Sequence, residues 1–336
     1  MINVAINGLG RIGRAAAKLL LDEQGVELVA INDLASIDNL AYLLKYDTVY
    51  GRYQGDVTTA NSQLTINGHE IQILNKEDPA QLPWGELGID VVIESTGHFE
   101  DRASAQKHVQ AGAKAVIISA PSKGDNPAPT FIRGVNDEEF GDARVINNGS
   151  CTTNAIAPTI EVLETAFGVE RALMTTVHGY TATQGLVDGP GGKDARRGRA
   201  AAANIVPTST GAAISTGEAI PALKGRFDGI ALRVPVLNGS IADITAILKR
   251  DTTVEEVNQA FVDAAATEKF KGILEATNDP IVSSDIIGNP HSAVVDLGLT
   301  RVLGNLVKVF AWYDNELAYA HRLVELAVEL GGSLGE

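Results

Sequence analysis

The segment Gly8-Leu9-Gly10-Arg11-Ile12-Gly13 constrains this chain more than any other, because it stands between an apolar β-branched run and an amphipathic helical pattern. Residues 2–6 before it read as a strand, and Ile12, Ala16, Leu19 and Leu20 after it recur at helical spacing. Glycine at three positions permits a tight turn, lets a pyrophosphate approach the backbone, and allows helix and strand to pack closely. A second strand over residues 26–31 leads to Asp33, twenty residues beyond Gly13 (33 − 13), where a carboxylate meets the hydroxyls of an adenosine ribose. That carboxylate repels a 2′-phosphate, so the pattern favours NAD over NADP. The plainer explanation, an ordinary βα turn with Asp33 capping the next helix, covers each feature singly but not their order.

The rest of the first third keeps the same rhythm. Ile37, Leu40, Leu43 and Leu44 predict a second helix, and residues 91–94, 116–119 and 144–146 predict further strands ending beside Gly, Pro or Asn. A ligand crevice is expected at their carboxyl ends. Asn67-Gly68 between residues 63–66 and 70–73 predicts a hairpin, since a type I′ turn needs φ > 0 at both central residues; it reads as a local antiparallel excursion. Beyond residue 150 the strands at 173–177, 229–236, 241–248 and 305–312 have longer, less regular connections. From Asn315 onward, Tyr319, Leu323, Leu326, Ala327 and Leu330 share one helical face, suited to packing back onto the first domain. The expected fold class is α/β: a Rossmann-type, doubly wound parallel sheet domain (1–150, joined by a C-terminal helix, 315–336) plus an α+β catalytic domain (151–314) with a mostly antiparallel sheet.

The net charge of −15 argues against a nucleic acid or an anionic membrane as the main partner, and no apolar run reaches the length of a membrane helix, so a cytoplasmic protein is expected. A single cysteine rules out an internal disulfide and a multi-thiolate metal site, and no metal is expected. Small polar residues surround that cysteine in Asn147-Asn148-Gly149-Ser150-Cys151-Thr152-Thr153-Asn154, after which Ile156, Ile160, Leu163 and Phe167 take helical spacing, with Pro158 as a complication. Cys151 is therefore expected near a helix N-terminus, where the dipole favours a thiolate and free amides can hold an oxyanion. Isolated, such a cysteine is more often structural; its polar neighbours favour catalysis. His178, after the strand at 173–177, could take the thiol proton and later the hydroxyl proton of a thiohemiacetal. The other five histidines carry only the ordinary structural expectation.

The motifs Ser150-Cys151-Thr152-Thr153-Asn154 and Val177-His178-Gly179-Tyr180-Thr181 resemble those of the glyceraldehyde-3-phosphate dehydrogenases. The resemblance runs almost end to end and takes in Lys45-Tyr46-Asp47, Glu94-Ser95-Thr96-Gly97, Ser119-Ala120-Pro121, Leu232-Arg233-Val234-Pro235 and Trp312-Tyr313-Asp314-Asn315-Glu316. It implies Cys151 as nucleophile and His178 as base. Thr181 and Arg233 would hold the substrate's phosphate, while Ser150, Thr152, Thr210 and Gly211 would hold inorganic phosphate. For NAD, it implies Gly8, Gly10, Arg11, Ile12 and Gly13 at the pyrophosphate, Asp33 at the ribose, Ser119 near the nicotinamide ribose and Asn315 at the carboxamide. Residues 179–203, with Pro190, resemble a loop that packs beside a neighbouring subunit, which implies a homotetramer. Ala155, Tyr50 and Leu317 depart from the usual Cys, His and Trp, and none removes a catalytic group.

The reaction so implied is oxidation of glyceraldehyde 3-phosphate with NAD and inorganic phosphate to 1,3-bisphosphoglycerate, through a thiohemiacetal and an acyl thioester on Cys151. Erythrose-4-phosphate dehydrogenase is the nearest alternative, and Thr181-Ala182-Thr183-Gln184 favours the triose enzyme. A non-catalytic NAD-binding regulatory or RNA-binding protein would have little use for both Cys151 and His178.

Overall fold

The computed structural model describes residues 1–137, 140–192 and 194–334. Lys193, within the 179–203 loop, and residues 335–336 of the expected C-terminal helix lie outside them. The chain divides into two compact units: Met1–Phe131, Asp137–Gly149 and Ala320–Glu336 make one, and Ile132–Asn136 with Ser150–Tyr319 make the other.

The first unit is built on an eight-stranded sheet in the order Val145–Asn147, Ala115–Ile118, Val91–Glu94, Ile2–Asn7, Val26–Asn32, His69–Leu74, Gln63–Ile66, Val57–Ala60. The first six run parallel, and the strand order reverses beside Ile2–Asn7, which puts a topological switch point at the glycine turn. Parallel strands carry helices on both faces, so Val4, Ala5, Ile6, Val91, Val92 and Ile93 are almost wholly buried. The Asn67-Gly68 turn forms with φ of 51° and 87°, as its chemistry requires. It is no excursion, however: His69–Leu74 pairs in parallel with Val26–Asn32, so the hairpin extends the main sheet. The C-terminal helix, Leu317–Ser333, supplies buried Leu323, Leu326, Ala327 and Leu330.

Gly13 shows why the turn tolerates no side chain. It stands in the Arg11–Asp22 helix, and a Cβ there would overlap the Gly8 carbonyl oxygen and come within 2.9 Å of Ser95 Oγ. Gly13→Ala is accordingly expected to destabilise the fold by about 1–3 kcal/mol, the usual cost of overpacking a closed site. Thermal denaturation would check this; an unchanged melting temperature would mean that helix and strand are not tightly apposed.

The second unit carries a mixed sheet in the order Val206–Ser209, Phe227–Val234, Val169–Gly179, Ser240–Leu248, Leu306–Tyr313, Ala293–Asp296, Leu274–Thr277, with Arg301–Leu303 also on Leu306–Tyr313. Most pairs are antiparallel, but Val169–Gly179 runs parallel to Phe227–Val234, and Leu274–Thr277 parallel to Ala293–Asp296. Val169–Gly179 is much longer than the expected 173–177, so His178 lies within the strand and not beyond it. One face of the sheet packs on the Cys151–Phe167 helix, whose Ile156, Ile160 and Leu163 are fully buried. Pro158 is accommodated inside this helix, and Thr159 Oγ1 donates to the Ala155 carbonyl at 2.8 Å.

Candidate active site

Within the first unit the carboxyl ends of the central strands surround a cavity lined by Asn7, Gly8, Gly10, Asn32, Asp33 and Thr96, among others. Gly8 has φ of 95°, and a Cβ on it would stand 2.8 Å from the Thr96 amide nitrogen. At Gly10, the N-cap of the Arg11–Asp22 helix, a Cβ would meet nothing within 4 Å, so the helix start has open space beside it and no capping side chain to accept from its first amides. A pyrophosphate fits such a place, since the first amides of a helix need acceptors. Asp33 does not cap the next helix; Ser36 does. Its two oxygens accept instead from Leu9 N–H (2.7 Å) and Ala35 N–H (2.9 Å), pinning the turn while each keeps a lone pair for a hydroxyl. Arg11 turns its guanidinium to Asp47 and lies over the Tyr50 ring, which leaves its backbone as the part facing the turn. Ser119 follows the Ala115–Ile118 strand and donates its N–H to the Glu94 carbonyl.

Within the second unit Cys151 is the first residue of its helix. Ser150 caps it, accepting the Thr153 N–H at 3.1 Å while its own N–H donates to Thr153 Oγ1. The strand Val169–Gly179 brings His178 to the same place, with 3.4 Å between Cys151 Sγ and His178 Nε2. His178 Nδ1 lies 2.7 Å from the Gly179 carbonyl, to which it donates when Nε2 is the acceptor, and the same carbonyl accepts from Arg233 Nη1 at 3.1 Å, which sets the guanidinium 2.6 Å from Nδ1. Register explains the arginine: His178 and Arg233 are paired residues on adjacent parallel strands.

Burial pushes the Cys151 thiol up, and the positive charge of Arg233, the Thr152 hydroxyl and the amides of residues 151 and 152 offset this only partly. Burial, then the Arg233 charge, bring His178 down to about 3. Desolvation therefore works against the helix dipole, which favours a thiolate at this helix start.

Other expected residues lie on neighbouring elements of the same unit. Arg233 is partly buried, and burial lowers its pKa, as does the charge of Arg197, a residue absent from the sequence expectations. Arg197 Nε donates to Thr208 Oγ1 at 2.8 Å. Thr181 Oγ1 and Thr183 Oγ1 are 2.9 Å apart. Gly211 caps the Ala212–Ala219 helix with open space at its Cβ position, and Thr210 Oγ1 accepts the Ala212 N–H. Two assignments look different in three dimensions: Ser150 Oγ is engaged as a cap, and the Thr152 hydroxyl, 4 % exposed, turns inward to Tyr313 at 2.9 Å. Tyr313, also unanticipated, bridges Thr152 and Thr176 (2.7 Å) and sets its ring edge-on to His178. Burial, then the Cys151 sulfur, push its phenol well above the ordinary tyrosine range, so it acts as a neutral strut. Asn315 Oδ1 accepts from Gly239 N–H (3.1 Å) and Ser240 Oγ–H (2.8 Å), which leaves Nδ2 as the amide's donor end.

A dinucleotide turn on a parallel sheet, with a lone cysteine facing an imidazole in the other unit, defines the chain as an NAD-dependent dehydrogenase. Residues 2–102 match the family described as glyceraldehyde 3-phosphate dehydrogenase, NAD binding domain, and residues 150–315 match its C-terminal domain. Among curated relatives, glyceraldehyde-3-phosphate dehydrogenases of Streptomyces coelicolor and Mycobacterium avium are each 51 % identical, over 338 and 341 residues, covering 99 % of this chain and of theirs. Glyceraldehyde-3-phosphate dehydrogenase 1 of Kluyveromyces lactis is 48 % identical over 328 residues, 97 % of this chain and 98 % of its own. The chain belongs to the glyceraldehyde-3-phosphate dehydrogenase family, its cofactor is NAD, and neither the erythrose-phosphate nor the non-catalytic reading is favoured by these relatives.

Proposed function

We propose that the chain oxidises glyceraldehyde 3-phosphate to 1,3-bisphosphoglycerate, using NAD and inorganic phosphate, with Cys151 as nucleophile and His178 as base. The observation that carries the reading is the 3.4 Å approach of Sγ to the His178 imidazole at a helix start. As Sγ attacks the aldehyde carbon, Nε2 takes the thiol proton and the first amides of the helix receive the developing oxyanion. NAD, when bound, supplies the hydride acceptor that turns the hemithioacetal into a thioester. His178 first gives the thiol proton to the oxyanion, making the hemithioacetal hydroxyl, and takes it back as the hydride leaves; phosphate then attacks the thioester carbon, displaces the Cys151 sulfur as thiolate and conserves the energy as an acyl phosphate.

Arg233 and Thr181 would hold the substrate's phosphate, and Thr210 and Gly211, with Arg197 added, the inorganic one; Ser150 and Thr152 would join them only by turning hydroxyls now given to Thr153 and Tyr313. An anion on Arg233 removes part of the charge that holds His178 down, so substrate binding raises the imidazole's affinity for the thiol proton. Gly8, Gly10, Arg11, Ile12 and Gly13 are assigned to the pyrophosphate, Asp33 to the adenosine ribose, Ser119 to the nicotinamide ribose and Asn315 Nδ2–H to the carboxamide. The first unit, closed by the C-terminal helix, is thereby the NAD-binding domain and the second the catalytic one.

Initial rates test the reading: NADH should form with glyceraldehyde 3-phosphate only when inorganic phosphate or arsenate is present, and much more slowly with erythrose 4-phosphate. NADH formation at full rate without phosphate would sink it. Asp33→Ala should raise KM for NAD about 10-fold or more, the loss of a charge-assisted hydrogen bond, and narrow the preference over NADP. Unchanged discrimination between the two cofactors would remove Asp33 from the ribose.

Leu173 and Ile230, 65 % and 51 % exposed on the second unit's sheet, and Leu186 and Val187, 83 % and 72 % exposed in the 179–203 loop, support a homotetramer. Light scattering at micromolar concentration would test it. None of the described helices is long and apolar enough to cross a membrane; a cytoplasmic location is proposed with the metabolic role.

A further inference from the structure

The Val91–Glu94 strand ends in a carboxylate that the proposed chemistry leaves without a task. Glu94 is 2 % exposed, and four donors point at it: Asn7 Nδ2 (2.5 Å) and His108 Nε2 (3.0 Å) at one oxygen, Thr96 N–H (2.8 Å) and Thr96 Oγ1 (2.5 Å) at the other. His108 is wholly buried, and Trp84 Nε1 donates to its Nδ1 at 2.9 Å. An indole N–H can only donate, so Nδ1 is the acceptor and the imidazole proton sits on Nε2, aimed at Glu94. Four donors with no acceptor suit a carboxylate and leave no place for a carboxylic acid proton.

The network runs outward to the cofactor cavity. Asn7 Oδ1 accepts from Asn32 Nδ2 at 2.7 Å, and Asn32 exchanges bonds with the Lys76 backbone at 2.8 and 2.9 Å. Thr96 Oγ1, having given its proton to Glu94, accepts the His98 N–H at 3.1 Å. Asn7, Asn32, Lys76, Thr96 and His98 all line that cavity. Thr96 is also the residue that leaves no room for a side chain at Gly8. The donors of Asn7, His108 and Thr96 thus converge on one buried side chain behind the cavity wall.

We propose that Glu94 is a positioning residue for the dinucleotide: with His108 locked by Trp84, it fixes Asn7 and Thr96 and so preforms the wall against which the adenosine half binds. This rests on the NAD-binding reading above. Glu94→Gln puts an amide N–H₂ where only donors face it, so one contact of Asn7, His108 or Thr96 turns repulsive.

The test is calorimetric titration of the intact enzyme with NAD and with ADP-ribose, which lacks the nicotinamide. In Glu94→Gln both affinities should fall by the same factor, roughly tenfold or more, with kcat at saturating NAD within about twofold of the parent. Should Glu94→Gln not fold, Thr96→Val decides: it loses the outermost donor to Glu94 and the acceptor of the His98 N–H, and should weaken both ligands several-fold, while Thr96→Ser restores them. Iodoacetamide labelling of Cys151 in the cofactor-free variants should proceed at the parent rate. Parent-like affinity for ADP-ribose in folded Glu94→Gln or in Thr96→Val would overturn the proposal, as would a variant that only melts earlier. Failure of the parent itself to bind NAD would instead defeat the reading beneath it.

Discussion

Cys151→Ser is expected to lose roughly 10⁴-fold or more in kcat while binding NAD as before, because the nucleophile is replaced and the architecture is not. Serine suits the first turn of a helix, and the site is only partly buried, so neither the Ser150 cap nor the packing of Ile156 and Ile160 should suffer. What changes is acidity and polarisability. The thiol, even pushed upward by burial, ionises far more readily than an alcohol, and sulfur departs from an acyl carbon more easily when phosphate attacks. Rapid-mixing measurement of the first turnover checks this. A variant that keeps a tenth of the parent burst would show that the acyl group is carried elsewhere.

His178→Asn should slow acylation by about 10²- to 10⁴-fold, the usual worth of a placed general base. The sign of its pH effect follows from the environment. His178, held near 3, is neutral at every pH where the enzyme would be assayed, so it is always able to accept a proton. The thiol is the group that changes state, and its reactivity climbs as pH rises. Removing the imidazole takes away the acceptor at 3.4 Å, so the alkylation profile with iodoacetamide should move to higher pH. A profile that stays in place would assign the proton to another group. Asparagine also gives up the edge-on contact with Tyr313, and a control at Tyr313→Phe separates that loss from the loss of the base.

What could be read from the residues was what local chemistry dictates. The Asn67-Gly68 turn, the glycine turn before the first helix and the helix start at Cys151 each follow from a few adjacent side chains, and each formed. Pairings across long separations were less legible: nothing within residues 63–74 announces that the second hairpin strand lies parallel to Val26–Asn32. Arg197 escaped because it stands among Arg196 and Arg199 in an irregular stretch, where three arginines look alike until one lies near Arg233. Tyr313 read as one more aromatic on a strand, and its two hydroxyl partners come from a helix and another strand. The opposing influences on the thiol differ in the same way: the dipole can be inferred from a helix start, whereas desolvation depends on everything packed around it.

The Leu317–Ser333 helix gives the molecule a particular order of birth. Its residues from Ala320 onward complete the unit that begins at Met1, so the amino-terminal sheet leaves the ribosome long before the last piece of its own interior exists. Until Leu323, Leu326 and Leu330 arrive, that sheet must wait with an apolar surface uncovered. A nascent chain halted short of residue 320 should therefore be a strong client for chaperones, and loss of the final helix should be felt at the end of the protein that was made first.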